Sequence, residues 1–258
     1  MKKIKGKMMK KILLSLLVSG VTLFALTNSE VAKKADEATD GFVSQTSTMK
    51  MTLINARGQT STREIEGKIL EGANGDKSLM IFLTPADVKG TKMLTHEKLN
   101  KDDDQWLYLP ALKRVKRIAS RNKSGSFMGS EFSYEDIANA KYQEYTYDDK
   151  LEDSKANGKA CYKGIRVPKD KNSGYTKQIC WVDKKDFLVQ KIEYYDRKSE
   201  LLKTATFSNY TNHSGVWIIG KIHMVNHQNS KETTLQWNNI QTNVGLKDSD
   251  FSKRKLKR

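Results

Sequence analysis

The sequence predicts a mainly β fold: one meandering antiparallel sheet of about ten strands, curled to protect its edges. Three observations carry this. Segments with two-residue alternation recur along nearly the whole chain, joined by short turns rich in Gly, Asn and Asp. Helical patterns are few and short. Only three prolines interrupt the chain, and no run of long helices is available to cross over between parallel strands.

The elements follow in chain order. Six lysines (Lys2, Lys3, Lys5, Lys7, Lys10, Lys11) precede an uncharged apolar run from Ile12 to Leu26. A basic segment followed by a run this short is the pattern of a secretory signal peptide, since a membrane-crossing helix needs ~20 apolar residues. Residues 1–29 are assigned to that leader, with an uncleaved anchor as the alternative. Its removal takes the net charge from +16 to +10 and leaves 229 residues, ample for a buried core. "EVAKKADEATDGF", residues 30–42, predicts a short helix ending at Gly41.

The strands begin at "STMKMTLIN", where Met49, Met51 and Leu53 share one face and Thr48, Lys50 and Thr52 the other. "TREIEGKIL" sets Ile65, Gly67 and Ile69 against Glu64, Glu66 and Lys68, and "SLMIFL" is apolar on both faces. "QWLYLP" and "LKRVKRI" follow, then an irregular helical stretch between Gly129 and Ala138. "KQICWV", "FLVQKIEYY", "LLKTATFSNY", "GVWIIGKIHMVNH" and "TTLQWNNI" complete the series. "FSKRKLKR" closes the chain, and residues 247–258 are expected to be a mobile basic tail.

Cys161 and Cys180 flank a segment whose centre, "PKDKNSG", is turn chemistry. Folded symmetrically, that hairpin places the two cysteines opposite each other, within reach of a disulfide, and export would favour the bond. Two reduced, buried cysteines are the alternative. No metal or cofactor is expected. His96, His213, His223 and His227 are too dispersed to share an ion, and no P-loop, dinucleotide-binding or zinc-hydrolase motif occurs. "GSFMGS" lacks the spacing of a serine nucleophile turn, so the chain is not expected to be an enzyme.

The strongest charge feature is the cluster Lys113, Arg114, Lys116, Arg117 and Arg121. Export and the lack of interleaved aromatics argue against nucleic acid. A lysine-protected edge strand and a cationic rim for anionic headgroups or an acidic partner both remain. The apolar inventory points to a cavity. Met49, Met51, Leu53, Met80, Phe82, Met93, Trp106, Tyr108, Trp181, Trp217 and Trp237 supply more flexible or aromatic bulk than tight packing needs. A curled sheet of this size can enclose a ligand.

"QWLYLPALKRVKRI" followed by "KSGSFMGSEFSYEDI" resembles the signature of the LolA-like outer-membrane lipoprotein-sorting protein family. "MTLINARGQTSTREIEGKI", "IFLTPADVKGTKML" and "WVDKKDFLVQKIEYYD" with "LLKTATFSNY" occur in the matching order, so the resemblance spans about residues 32–242. It implies a single-domain incomplete antiparallel barrel, here of about ten to eleven strands over residues 30–246. Short helices and loops would cover a hydrophobic concave face. It further implies a periplasmic carrier of lipid or lipoprotein acyl chains, with transient contact with a membrane surface and an inner-membrane transporter of the resistance-nodulation-division type as partner; a periplasmic adaptor of such a transporter without lipid carriage is the alternative. The expected cavity residues are Met49, Met51, Leu53, Phe82, Trp106 and Tyr108. "IASRNKSGSFMGS" is expected to act as a glycine-hinged lid, with Phe127, Met128 and Phe132 as its apolar plug.

Overall fold

A computed structural model describes residues 25–257 apart from positions 100, 139 and 140. The predicted leader up to residue 24 lies outside the described residues. Helix α1 (Asn28–Thr39) starts inside the range assigned to that leader. Thr27 caps it in a reciprocal box with Glu30, and Asn28 donates from Nδ2 to the backbone carbonyls of Asp148 and Ile165. Thr27 and Asn28, inside the range assigned to the leader, thus make contacts with the domain.

The strands are β1 (Ser44–Ile54), β2 (Thr60–Leu70), β3 (Lys77–Thr84), β4 (Lys92–His96), β5 (Asp104–Leu109) and β6 (Arg114–Ile118). A one-turn helix, α2 (Tyr134–Ile137), separates them from β7 (Tyr145–Ala156), β8 (Lys159–Pro168), β9 (Lys177–Asp183), β10 (Val189–Tyr195) and β11 (Leu201–Ser208). A small ribbon, β12 (Thr211–His213) with β13 (Val216–Ile218), precedes β14 (Lys221–Asn226) and β15 (Lys231–Thr242).

Thirteen strands form one antiparallel sheet in the order β6-β5-β4-β3-β2-β1-β15-β14-β11-β10-β9-β8-β7. Two meanders run outward and are stitched together where β1 pairs with β15. The count exceeds the ten to eleven expected because two strands went unread: the five-residue β4, and "YTYDDKLEDSKA" (β7), which is too charged to read as a strand. An Asn157–Gly158 turn, at φ 51° and 75°, pairs it with β8.

β6 and β7 do not pair with each other, so the barrel stays open. The chain between these free edges, described over residues 119–138 and 141–144, lies across the concave face. Phe127 and Phe132 from it are buried in the main core with Met51, Ile65, Phe82, Met93, Met224 and Leu235. β6 is thus a terminal strand carrying Arg114, Lys116 and Arg117 exposed, as expected of a protected edge.

The C-terminal segment is not a mobile tail. Phe251 and Leu256 are fully buried against Leu79, Leu94 and Trp106 on the convex face of β3–β5. Lys77 pairs with Asp248, and Lys92 Nζ donates to the Lys255 carbonyl (3.1 Å). Two well-spaced hydrophobes among cations are enough to dock it.

The disulfide expectation is also corrected: both cysteines are free. Cys161 stands opposite Asp183, and Cys180 opposite Gly164. The turn between β8 and β9 is organised by Asp170, which accepts from Asn172 N (2.7 Å) and pairs with Lys123. This shifts the register by three residues from the symmetric hairpin. An odd shift puts the two side chains on opposite faces of the sheet.

Candidate functional site

Strand parity decides what faces the concavity. Cross-strand pairing aligns Met49 with Ile65 on one side and Trp237 on the other, then Ile222 with Phe207, and Ala205 with Ile192. Farther along, Tyr194, Gln178, Arg166 and Tyr147 form one row across β10, β9, β8 and β7. The concave face therefore changes from apolar at the β1–β15 seam to polar and aromatic near the β7 edge.

A cavity of ≈ 400 Å³ lies over this face. Met49, Ile65, Ile192, Phe207, Ile222 and Trp237 form its apolar wall, and α1 and α2 contribute Asp36 and Ile137. Its volume falls in the lower part of the ~300–1,000 Å³ range of small-molecule pockets.

Ionisable groups gather at the opposite wall. Arg166 donates from Nε to Gln178 Oε1 (2.8 Å), and its guanidinium lies 4.1 Å from the centre of the Tyr145 ring. Asp36 accepts from the Tyr142 backbone N (2.6 Å), yet burial pushes its carboxyl up to about 6. Glu144 is pushed up to about 7, chiefly by burial and further by the charge of Asp103. Lys141 bridges Asp40 (2.8 Å) and Asp76 (3.3 Å). Lys203, almost wholly buried, pairs with Asp136 (2.5 Å) and donates to the Glu131 carbonyl (2.9 Å), tying the crossing segment to β11.

That segment is held more firmly than a hinged lid suggests. Phe127 N donates to the Phe132 carbonyl (2.7 Å), Ser130 Oγ to the Phe127 carbonyl (2.7 Å), and Arg63 Nη1 to the Met128 carbonyl (2.5 Å). Met128 adopts φ 51° and Gly129 φ 75°, the left-handed pair that lets the loop fold back on itself. Phe127 packs on Phe82 (6.0 Å between centroids) and edge-on to Tyr134 (5.7 Å).

Of the residues named for the cavity and its lid, Met49 alone lines it, while Met80, Trp217 and Trp237 of the wider apolar inventory line it too. Met51, Phe82, Phe127 and Phe132 are solid core on the same side, with Leu53 and Met128 packed against them. Trp106 and Tyr108 are corrected outright. They alternate with Leu107, so they face the convex side, where Trp106 lies under the docked C-terminus with Lys253 over its ring (4.3 Å). Of the expected cationic rim, Arg117 shares its face with Trp106, whereas Arg114 and Lys116 point to the other face of the edge strand. Arg117 is also tied to Asp104 (2.6 Å). Lys113 holds a left-handed turn before β6, and Arg121 lies just beyond it. The sequence reading missed Arg166, Tyr145, Asp36 and Glu144. Arg166 had a signal, an inward-facing charge in the alternating strand "YKGIRV".

A family model described only as an uncharacterized protein matches residues 74–258, including the docked C-terminus. Among solved structures, an outer-membrane lipoprotein-sorting protein domain from Vibrio parahaemolyticus is 46% identical. The match covers 89% of this chain and 98% of that one, with a TM-score of 0.86. A DUF1329 family protein from Desulfovibrio piger is 33% identical over 88% of this chain and 97% of its own, with a TM-score of 0.82. A LolA superfamily protein from Nitrosomonas europaea shares the fold at 21% identity and a TM-score of 0.72, covering 90% of this chain and 100% of that one. No curated protein matches the sequence.

Proposed function

The chain belongs to the LolA-like family of outer-membrane lipoprotein-sorting proteins, and from that premise we propose that it is an exported periplasmic carrier that takes an acyl chain into its concave cavity for transfer between envelope membranes. The observation that carries this is the cavity itself: an apolar wall beneath a curled sheet whose two free edges are bridged by a separate crossing segment. Among the described residues no helix is long and apolar enough to cross a membrane. A volume of ≈ 400 Å³ suits one chain, not the several chains of a full lipoprotein anchor. Larger cargo requires the Phe127–Phe132 plug to move.

Energetics favour the same arrangement. Each buried methylene contributes about 0.8 kcal/mol, so a ten-carbon chain gains on the order of 8 kcal/mol before ordering costs. Release then calls for a moving element or a competing acceptor; because the crossing segment is anchored by Phe127 and Phe132 in the core and by the Lys203–Asp136 pair, its movement would require those contacts to open. The transporter partner implied by the resemblance gains no support from the matched proteins.

The test is uptake of a fluorescent fatty-acyl probe. The protein is expected to bind it, and Ile222→Trp, which fills the apolar wall, is expected to weaken binding at least tenfold while keeping the β circular-dichroism spectrum. Equal uptake by both forms, or none by either, would contradict the reading.

A further inference from the structure

Arg166 is the one cavity-wall cation whose charge the described residues leave without an acidic partner in contact at its terminal nitrogens. Lys123 is paired with Asp170 and Lys68 with Glu66, and the carboxylates of Asp40 and Asp76 are held by Lys141, Asp136 by Lys203, Glu135 by Ser173 Oγ and Gly174 N, and Asp103 by Lys98 N; Glu144 lines the same cavity without an ion pair to Arg166. Arg166 has a single hydrogen bond, from Nε to Gln178, and a ring contact with Tyr145. Nη1 and Nη2 donate to no described residue. Asp36, close enough to feel the guanidinium charge, turns a carboxylate oxygen to Tyr142 N instead and forms no ion pair with it.

This is a held and aimed guanidinium, not a loose one. Gln178 fixes Nε, Tyr145 fixes the plane, and strand pairing sets Arg166 between Tyr147 and Gln178 on the concave face. A planar fork with two free nitrogens matches the two oxygens of a carboxylate or phosphate. Leaving it unpaired at a partly buried site is unfavourable, so an incoming oxyanion is strongly favoured there.

We propose that Arg166 binds the anionic end of a single-chain amphiphile, its Nη1 and Nη2 holding carboxylate or phosphate oxygens while the chain lies along Met49, Ile65, Ile222 and Trp237. This rests on the reading of the cavity as an acyl-chain site and adds the headgroup chemistry: a fatty-acid carboxylate or the phosphate of a lipid.

The experiment compares decanoate, decyl phosphate and decanol by displacement of the fluorescent acyl probe, in mildly alkaline buffer where both acids are ionised. Charge-assisted hydrogen bonds imply that at least one anionic probe binds tenfold or more tighter than decanol. Which of the two is tighter identifies the headgroup. Arg166→Met is expected to erase the difference and leave decanol binding unchanged. Gln178→Glu guards against a folding defect, because its carboxylate would pair with Arg166 inside the fold and should equally remove the anionic preference. Equal binding of all three probes to the unmodified protein, or an anionic preference that survives both substitutions, overturns the headgroup site and leaves the carrier reading intact. Binding of none of them overturns both.

Discussion

Glu144 shows how single residues in the cavity wall set a pH response. Its carboxyl is pushed up to about 7 and that of Asp36 to about 6, in both cases chiefly by burial. Both folded values exceed the unfolded ones near 4. The protonated forms therefore favour the folded state at low pH, and that contribution is lost as pH rises through about 6 to 7. Glu144→Gln is accordingly expected to raise stability at pH 8 by on the order of 1 kcal/mol, after discounting for its partial solvent access, and to change little at pH 4. Denaturant titrations at the two values check this, and a loss at pH 8 would refute it. The cysteines give the opposite lesson about reading residues from sequence. Turn chemistry marked the hairpin correctly, but the exact register depended on Asp170 and its contacts with Asn172 and Lys123. Three residues of shift separated Cys161 from Cys180 by a whole sheet. Thermal unfolding should therefore be the same with and without a reductant, and a drop on reduction would disprove the free-thiol arrangement.

At the scale of elements, alternation identified most strands, but it could not say which face was the inside. Met49, Met51 and Leu53 share the concave side because their other face is polar, yet only Met49 reaches the cavity. "QWLYLP" is large and apolar on both faces, so its assignment depended on what covered each side. The convex cover is the C-terminal segment, whose five cations in eight residues concealed Phe251 and Leu256. β7 was illegible for a related reason: an edge strand carrying charge on both faces has no apolar period. The docked segment is expected to matter energetically. Leu256→Ala should cost about 2–5 kcal/mol and Phe251→Ala about 3–5 kcal/mol, as for other fully buried side chains. Acyl-probe affinity should be kept in both variants, because these residues lie on the convex side. Chemical denaturation and probe binding measured on the same samples test the pair of statements. A change under about 1 kcal/mol would mean the segment is not packed in solution.

For the whole molecule, the curled sheet and its bridged free edges are the functional architecture. Two meanders meeting at β1 and β15 make a concave face too wide to fill with its own side chains alone. The segment joining β6 to β7 fills part of it with Phe127 and Phe132, and the remainder stays open as the cavity. The family resemblance anticipated this arrangement. The polar wall around Arg166 could be read only once the register of β7, β8 and β9 was known. The central claim is that this cavity receives one acyl chain. Native mass spectrometry of the protein purified without detergent, then exposed to a fatty acid, tests it most directly. The account predicts a mass increment of one chain per protein, reduced at least tenfold in Ile222→Trp. A protein that takes up no chain, or takes up chains equally when the apolar wall is filled, would contradict it.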